Sequence, residues 1–205
     1  MSKRAGISSG KVFGDSVKAK GAHVINRIIL RPDDFRLGVD LISGVGTALY
    51  KSVVSGIYVF GWRENQSGKA STAITIPSNI PTGAKANVNV YWAAIDSGAT
   101  VLGGAVLDLD YRVVNLFVSG NVAIVGQSYT VSGTTSNVTA THSLVSGTSA
   151  ASQTLLQKTT LTIPAIDIEA NSLLLMNLFR DSAEDADFLA SSVNVIAVEV
   201  EFVDA

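Results

Sequence analysis

The chain has 205 residues, no cysteine and a formal net charge of −2, a length that suits one β-sandwich, or one domain with an arm, and a composition that excludes disulfides and thiolate metal sites. Charged residues make up only 16% and apolar ones 47%, with a mean hydropathy of +0.34, whereas charged residues ordinarily reach about 25%. No run approaches the ~18 apolar residues of a membrane span, so the surplus points to surface hidden against other copies or other proteins.

Residues 1–22 carry Lys3, Arg4, Lys11, Lys18 and Lys20 against Asp15 alone, while the rest of the chain holds ten basic and sixteen acidic residues. A basic arm ahead of an acidic body suits docking on a neighbouring copy, with Val12, Phe13 and Val17 as apolar anchors beside the charges. The plain alternative is a terminal tail. Nucleic acid is not indicated, because no arginine-rich run or interleaved aromatics accompany the lysines. Nor is a signal peptide, because the 7–15-residue apolar segment such peptides need is missing.

Strand signals follow in chain order. His23–Leu30 is a first strand, ended by Arg31-Pro32-Asp33-Asp34-Phe35, where proline cannot donate to a ladder and the aspartates favour a turn. Residues 36–56 are broken by four glycines and show no clear element. Ile57–Trp62 is rich in aromatic and β-branched residues. Thr72–Ile76 closes on Pro77, and Ala86–Trp92 alternates with Val88, Val90 and Trp92 on one face. Between Val101 and Leu116, Asp108, Asp110 and Arg112 alternate with Leu107, Leu109, Tyr111 and Val113, which predicts one wet face. The Ser/Thr/Gly-rich segment 119–152 predicts short strands and exposed loops. Thr159–Ile163 ends in Ile-Pro like its counterpart before Pro77. A short helix fits only within 165–171 or 182–188.

The C-terminal stretch is the organising one. Leu173–Phe179 is apolar at nearly every position, as a strand buried on both faces requires. In Asn194–Phe202 the alternation puts Ile196, Val198, Val200 and Phe202 on a core face and Glu199 and Glu201 on the other. Eight or nine strands with frequent turn signals predict an all-β antiparallel sandwich over residues 23–205, jelly-roll-like because long connections alternate with short ones, with an immunoglobulin-like sandwich as the rival.

The order of PDDF (Pro32–Phe35), ITIP (Ile74–Pro77), VNVYWAA (Val88–Ala94), the strand at 106–113, TLTIPA (Thr160–Ala165), RDSAEDAD (Arg180–Asp187) and VEVEF (Val198–Phe202) resembles a family of bacteriophage virion proteins. The resemblance spans about residues 28–203. It implies a small sandwich that decorates the head or belongs to the tail or its fibres, located in the virion, assembled with itself as a trimer and with other virion structural proteins.

Chemistry is sparse. His23 and His142 have no neighbouring carboxylate or repeated histidine spacing, and no G-x-S-x-G, P-loop or H-E-x-x-H pattern occurs. The chain is therefore expected to be non-enzymatic and without a cofactor. Asp181, Glu184, Asp185 and Asp187 offer hard oxygen ligands suited to calcium but lack the alternate spacing of a calcium loop. The competing reading is a solvated turn in which Arg180 pairs with a carboxylate and Asp181 or Ser182 caps a short helix. Tyr58, Phe60 and Trp62 share one strand face and Trp92 lies on another strand, a set that stacks sugars if exposed and fills the core otherwise. Two functions follow: a structural subunit of a phage particle, or a tail or fibre module that binds a host surface glycan.

Overall fold

In the computed structural model, which describes residues 23–38, 49–54, 56–63, 68–95, 101–114, 129–140, 156–183, 185, 187, 189 and 192–204, eleven strands form two antiparallel sheets. The strands are β1 (Val24–Leu30), β2 (Arg36–Leu37), β3 (Tyr50–Val54), β4 (Ile57–Trp62), β5 (Ala70–Thr75), β6 (Lys85–Ile95), β7 (Val101–Val114), β8 (Tyr129–Ala140), β9 (Leu156–Ile163), β10 (Leu173–Arg180) and β11 (Ser192–Val203). One sheet runs β3-β4-β11-β6-β9, with β1 also paired to β11, and the other runs β2-β5-β10-β7-β8.

The pairing is nested: β4 with β11, β5 with β10, β6 with β9 and β7 with β8, all antiparallel. From β4 to β7 the chain steps from one sheet to the other at every connection, and from β8 to β11 it retraces those steps. This is a long hairpin wrapped into a sandwich, the jelly-roll arrangement. The nesting excludes the immunoglobulin-like rival. The arm at residues 1–22 lies outside the described residues.

The core lies between the sheets. Phe60, Trp62, Trp92, Leu161, Leu174, Val200 and Phe202 are fully buried there. Phe35 and Phe60 approach to 5.0 Å between ring centroids, and Phe60 meets Trp62 edge-on at 5.6 Å. Burial of the indoles is made tolerable by acceptors: Trp92 Nε1 donates to Thr159 Oγ1 at 2.9 Å, and Trp62 Nε1 to the Gly68 carbonyl. The Tyr111 hydroxyl donates to Asp167 Oδ2 at 2.6 Å, tying β7 to a 3-10 turn at Ala165–Asp167, where a short helix is expected from the sequence.

Four expectations need correction. Along β11 the strict alternation fails at Ile196: a bulge between Val195 and Ala197 shifts the register, so Val193 and Val195 are fully buried while Ile196 is only half-buried. The face of β7 bearing Asp108, Asp110 and Arg112 is not wet. Asp108 is 5% exposed, and Val106 and Val114 on the same face are buried too. There the Lys69 Nζ reaches Asp110 Oδ2 at 2.6 Å and lies 5.2 Å from the Phe179 ring, so opposite charges and apolar stems cover one another across strands. β10 is buried on its inner face at Leu174, Met176 and Leu178, but its outer Leu173, Leu175 and Phe179 are half-buried. Finally, residues 129–140 form one strand of 12 residues, not several short ones. Its register is supplied by β7, not by its own composition.

Candidate functional site

Alternation along β1, β6, β9 and β11 sends polar side chains to the outer side of the six-stranded sheet, and the register sets them in rows. Arg27, Glu201, Asn87 and Thr162 face one another across four strands. Ile29, Glu199, Asn89 and Thr160 form the next row, and Ala197, Tyr91 and Lys158 the third. The inward residues between them, Val88, Val90, Leu161, Val198 and Val200, belong to the core and fix each strand's orientation.

The rows are joined by hydrogen bonds. Arg27 Nη2 donates to Glu201 Oε1 at 2.7 Å, and Arg27 Nε sits 2.9 Å from Glu199 Oε1. Asn89 Nδ2 donates to both carboxylates, at 3.2 Å to Glu199 Oε2 and 2.9 Å to Glu201 Oε2. The Tyr91 hydroxyl donates to Glu199 Oε2 at 2.9 Å, and Thr160 Oγ1 to Asn89 Oδ1 at 2.8 Å. Thr162 Oγ1 donates to Asn87 Oδ1 at 2.9 Å. Lys158 Nζ stands 5.8 Å from the Tyr91 ring centroid. Asn89 is 1% exposed and the Glu199 and Glu201 side chains 10% and 14%, whereas the Arg27 side chain is 52% exposed. Ile29 and Leu156, 64% and 59% exposed, stand at opposite margins of this polar field.

Burial acts to raise the Glu201 carboxyl, but hydrogen bonds from Asn89 and Arg27 outweigh it and hold the group below the ordinary carboxylate value. The Tyr91 phenol is pushed up, first by burial and then by the Glu199 carboxylate it bonds. Arg27 is raised, first through its hydrogen bond to Glu201 and then by the charge of Glu199. Across neutral pH the face thus holds an ionised Glu201, a cationic Arg27 and a protonated Tyr91. Such an array is a rigid set of neutral and charge-paired donors and acceptors.

A concavity of about 340 Å³ lies at the β2–β5 edge and is lined by Asp34, Arg36, Ser71, Thr72, Ala73 and Leu175. Two of its polar groups serve the fold. Asp34 Oδ2 accepts the Arg31 backbone N–H at 2.7 Å to cap the 3-10 turn at Pro32–Asp34, and Ser71 Oγ donates to Asn177 Oδ1 at 2.7 Å.

The residues singled out from sequence fall elsewhere. Lys3, Arg4, Lys11, Val12, Phe13, Val17, Lys18 and Lys20 lie outside the described residues, as do Glu184 and His142. His23 is exposed, 4.0 Å from Asp204 Oδ2. Asp187 is buried in a two-pronged pair with Arg180, at 2.8 and 2.5 Å, and also accepts the Val106 N–H at 3.1 Å. Asp181 Oδ1 accepts the Ala183 N–H at 3.1 Å, closing a turn where a helix cap was expected, while Asp185 is exposed. Among the described residues no three metal-ligating side chains converge. Of the aromatic set, Phe60, Trp62 and Trp92 are wholly in the core and only Tyr58, 63% exposed, faces solvent. The residues of the outer face were visible as the polar half of Asn87-Val88-Asn89-Val90-Tyr91 and Thr160-Leu161-Thr162. What joins them is the register of four strands.

No family model matches the chain, and no curated protein sequence matches it. Several solved structures share a distant likeness. The C-terminal CBM6 of LamC from Zobellia galactanivorans aligns with a TM-score of 0.42 at 13% identity, covering 86% of this chain and 99% of that one. The CBM22-1 xylan-binding domain of Paenibacillus barcinonensis Xyn10C aligns with a TM-score of 0.41 at 14% identity, covering 91% and 99%. CBM35 of Cellvibrio japonicus Abf62 gives 0.40 at 14%, covering 85% and 92%. Likeness at this level carries no inference about a shared site, and the jelly-roll assignment stands on the strand pairing alone.

Proposed function

We propose that the protein is a non-enzymatic module that binds a glycan on the outer face of its six-stranded sheet. The observation that carries this reading is the continuous hydrogen-bonded field from Arg27 through Glu201, Glu199 and Asn89 to Thr160, with Tyr91 and Asn87 beside it. Sugars present hydroxyls that donate and accept at once, together with apolar C–H faces. Asparagine amides and threonine hydroxyls match the first, and the Tyr91 ring with Ile29 and Leu156 matches the second. Because these side chains are held by one another, little rotamer entropy is lost when a ligand arrives.

The test is a glycan array followed by calorimetry on any hit. Replacing Asn87 by Ala removes a half-buried amide bonded to Thr162 at the margin of the field. It should weaken binding about 3- to 10-fold, the worth of one hydrogen bond, without altering the far-UV spectrum. Tyr91→Ala should weaken it further. An array without hits at micromolar protein sinks the reading.

A second reading, a structural subunit of a phage particle that forms a trimer in the virion, is favoured by Ile57 and Tyr58. These lie 50% and 63% exposed where β3 turns into β4. Its mechanism would be apolar association, with residues 1–22 latching onto a neighbouring copy. Light scattering that finds only a 21.4 kDa species removes it.

A further inference from the structure

We infer that the glycan taken by this face is uncharged, an inference that rests on the proposed function and narrows it. Recognition of a uronate or a sulfate needs a cation whose hydrogen-bonding fork is available to the anion. The cation centred on this face is Arg27, and its fork is already engaged: Nε lies 2.9 Å from Glu199 Oε1 and Nη2 donates to Glu201 Oε1 at 2.7 Å. An incoming anion would have to displace two carboxylates that Asn89 and Tyr91 hold in place, or lie beside them and be repelled. Lys158, by the Tyr91 ring, and Lys85, two residues before Asn87 on the same side of β6, stand at the two ends of the field, while its centre is held by the engaged Arg27 and the two carboxylates. The groups left for recognition at the centre are neutral: the Asn87 amide, the Thr160 and Thr162 hydroxyls and the Tyr91 ring. The carboxylates, with lone pairs beyond those engaged, accept from sugar hydroxyls, and a ligand that only donates and accepts neutral hydrogen bonds meets no opposing charge.

The experiment compares neutral oligosaccharides with carboxylated and sulfated counterparts on one array, at low and high salt, for the native chain and for the Glu199→Gln/Glu201→Gln variant. The native chain should bind neutral glycans with little salt dependence and prefer them over acidic ones by about tenfold or more, the worth of one charge-assisted hydrogen bond. The variant keeps the shape of both side chains but removes the two charges that neutralise Arg27, and it should gain salt-sensitive affinity for acidic glycans. Tryptophan fluorescence checks that it is folded. If it is not, the single Glu201→Gln variant, which removes one of those charges, replaces it. Tighter, salt-sensitive binding of acidic glycans by the native chain overturns the inference while leaving glycan binding in place. Binding of neither class overturns the proposed function, and this inference with it.

Discussion

Arg180 is a charged residue whose side chain is 2% exposed, and its surroundings explain why it is tolerated. Two of its nitrogens donate to Asp187, and Nη2 also donates to the Leu189 carbonyl at 2.6 Å. Asp187 in turn holds the Val106 N–H, and the Asp181 N–H reaches the Val106 carbonyl at 3.0 Å, so the turn after β10 is stitched to β7. A buried pair of this kind adds little relative to a well-packed apolar replacement, but loss of one member strands the other without solvent. Asp187→Ala should therefore cost about 3–5 kcal/mol in urea unfolding. Arg180→Met combined with Asp187→Leu should recover most of that loss. Equal loss in the single and double variants would show that the hydrogen bonds to the Val106 N–H and the Leu189 carbonyl, and not a stranded charge, carry the cost. The sequence 180–187 showed an arginine among carboxylates, and pairing was anticipated. Which carboxylate is chosen depends on where the chain folds back, and no local pattern encodes that. The same holds for Glu199 and Glu201: their outward direction followed from alternation, but their partner Arg27 lies 174 residues from Glu201.

At the scale of elements, β4 was legible because it is rich in aromatic and β-branched residues, β10 because it is apolar at nearly every position, and β11 because its C-terminal half alternates with a period of two. β8 was not, since Ser, Thr and Gly pack weakly by themselves and take their register from β7. β2, of two residues, is too short to show any period. Within β11 the bulge at Ile196 exchanges the faces of the N-terminal part, which strict alternation cannot reveal. This leads to an opposite ordering of two variants. Val195→Thr buries a hydroxyl in the core and should cost about 1–3 kcal/mol, whereas Ile196→Thr, at a half-buried position, should cost clearly less. Without the bulge the order would be reversed. Urea midpoints of the two variants decide between the registers.

For the whole molecule, the nested pairing means that β7–β8 is the innermost link and β4–β11 the outermost of the four that define the wrap. Nearly every other link must close a long loop before it gains anything, so folding should lie in the slow, millisecond-to-second class of non-local β topologies. Stopped-flow refolding measures this directly, and microsecond folding would contradict it. The separate pairing of β1 with β11 brings the two extremities of the described chain side by side. Val24 pairs with Val203, and the Asp204 N–H donates to the His23 carbonyl at 3.1 Å. Polypeptide thus enters and leaves the sandwich through one doorway. The domain can be spliced like a cassette into a surface loop of another protein without prising its host apart. It can also be re-cut: linking residue 204 to 23 through a few glycines and opening the chain between the exposed Pro81 and Thr82 should leave the outer face of the six-stranded sheet undisturbed. Glycan affinity equal to that of the native chain is the outcome this geometry requires. A permutant that folds but has lost the affinity would mean that the binding face depends on the original order of the chain.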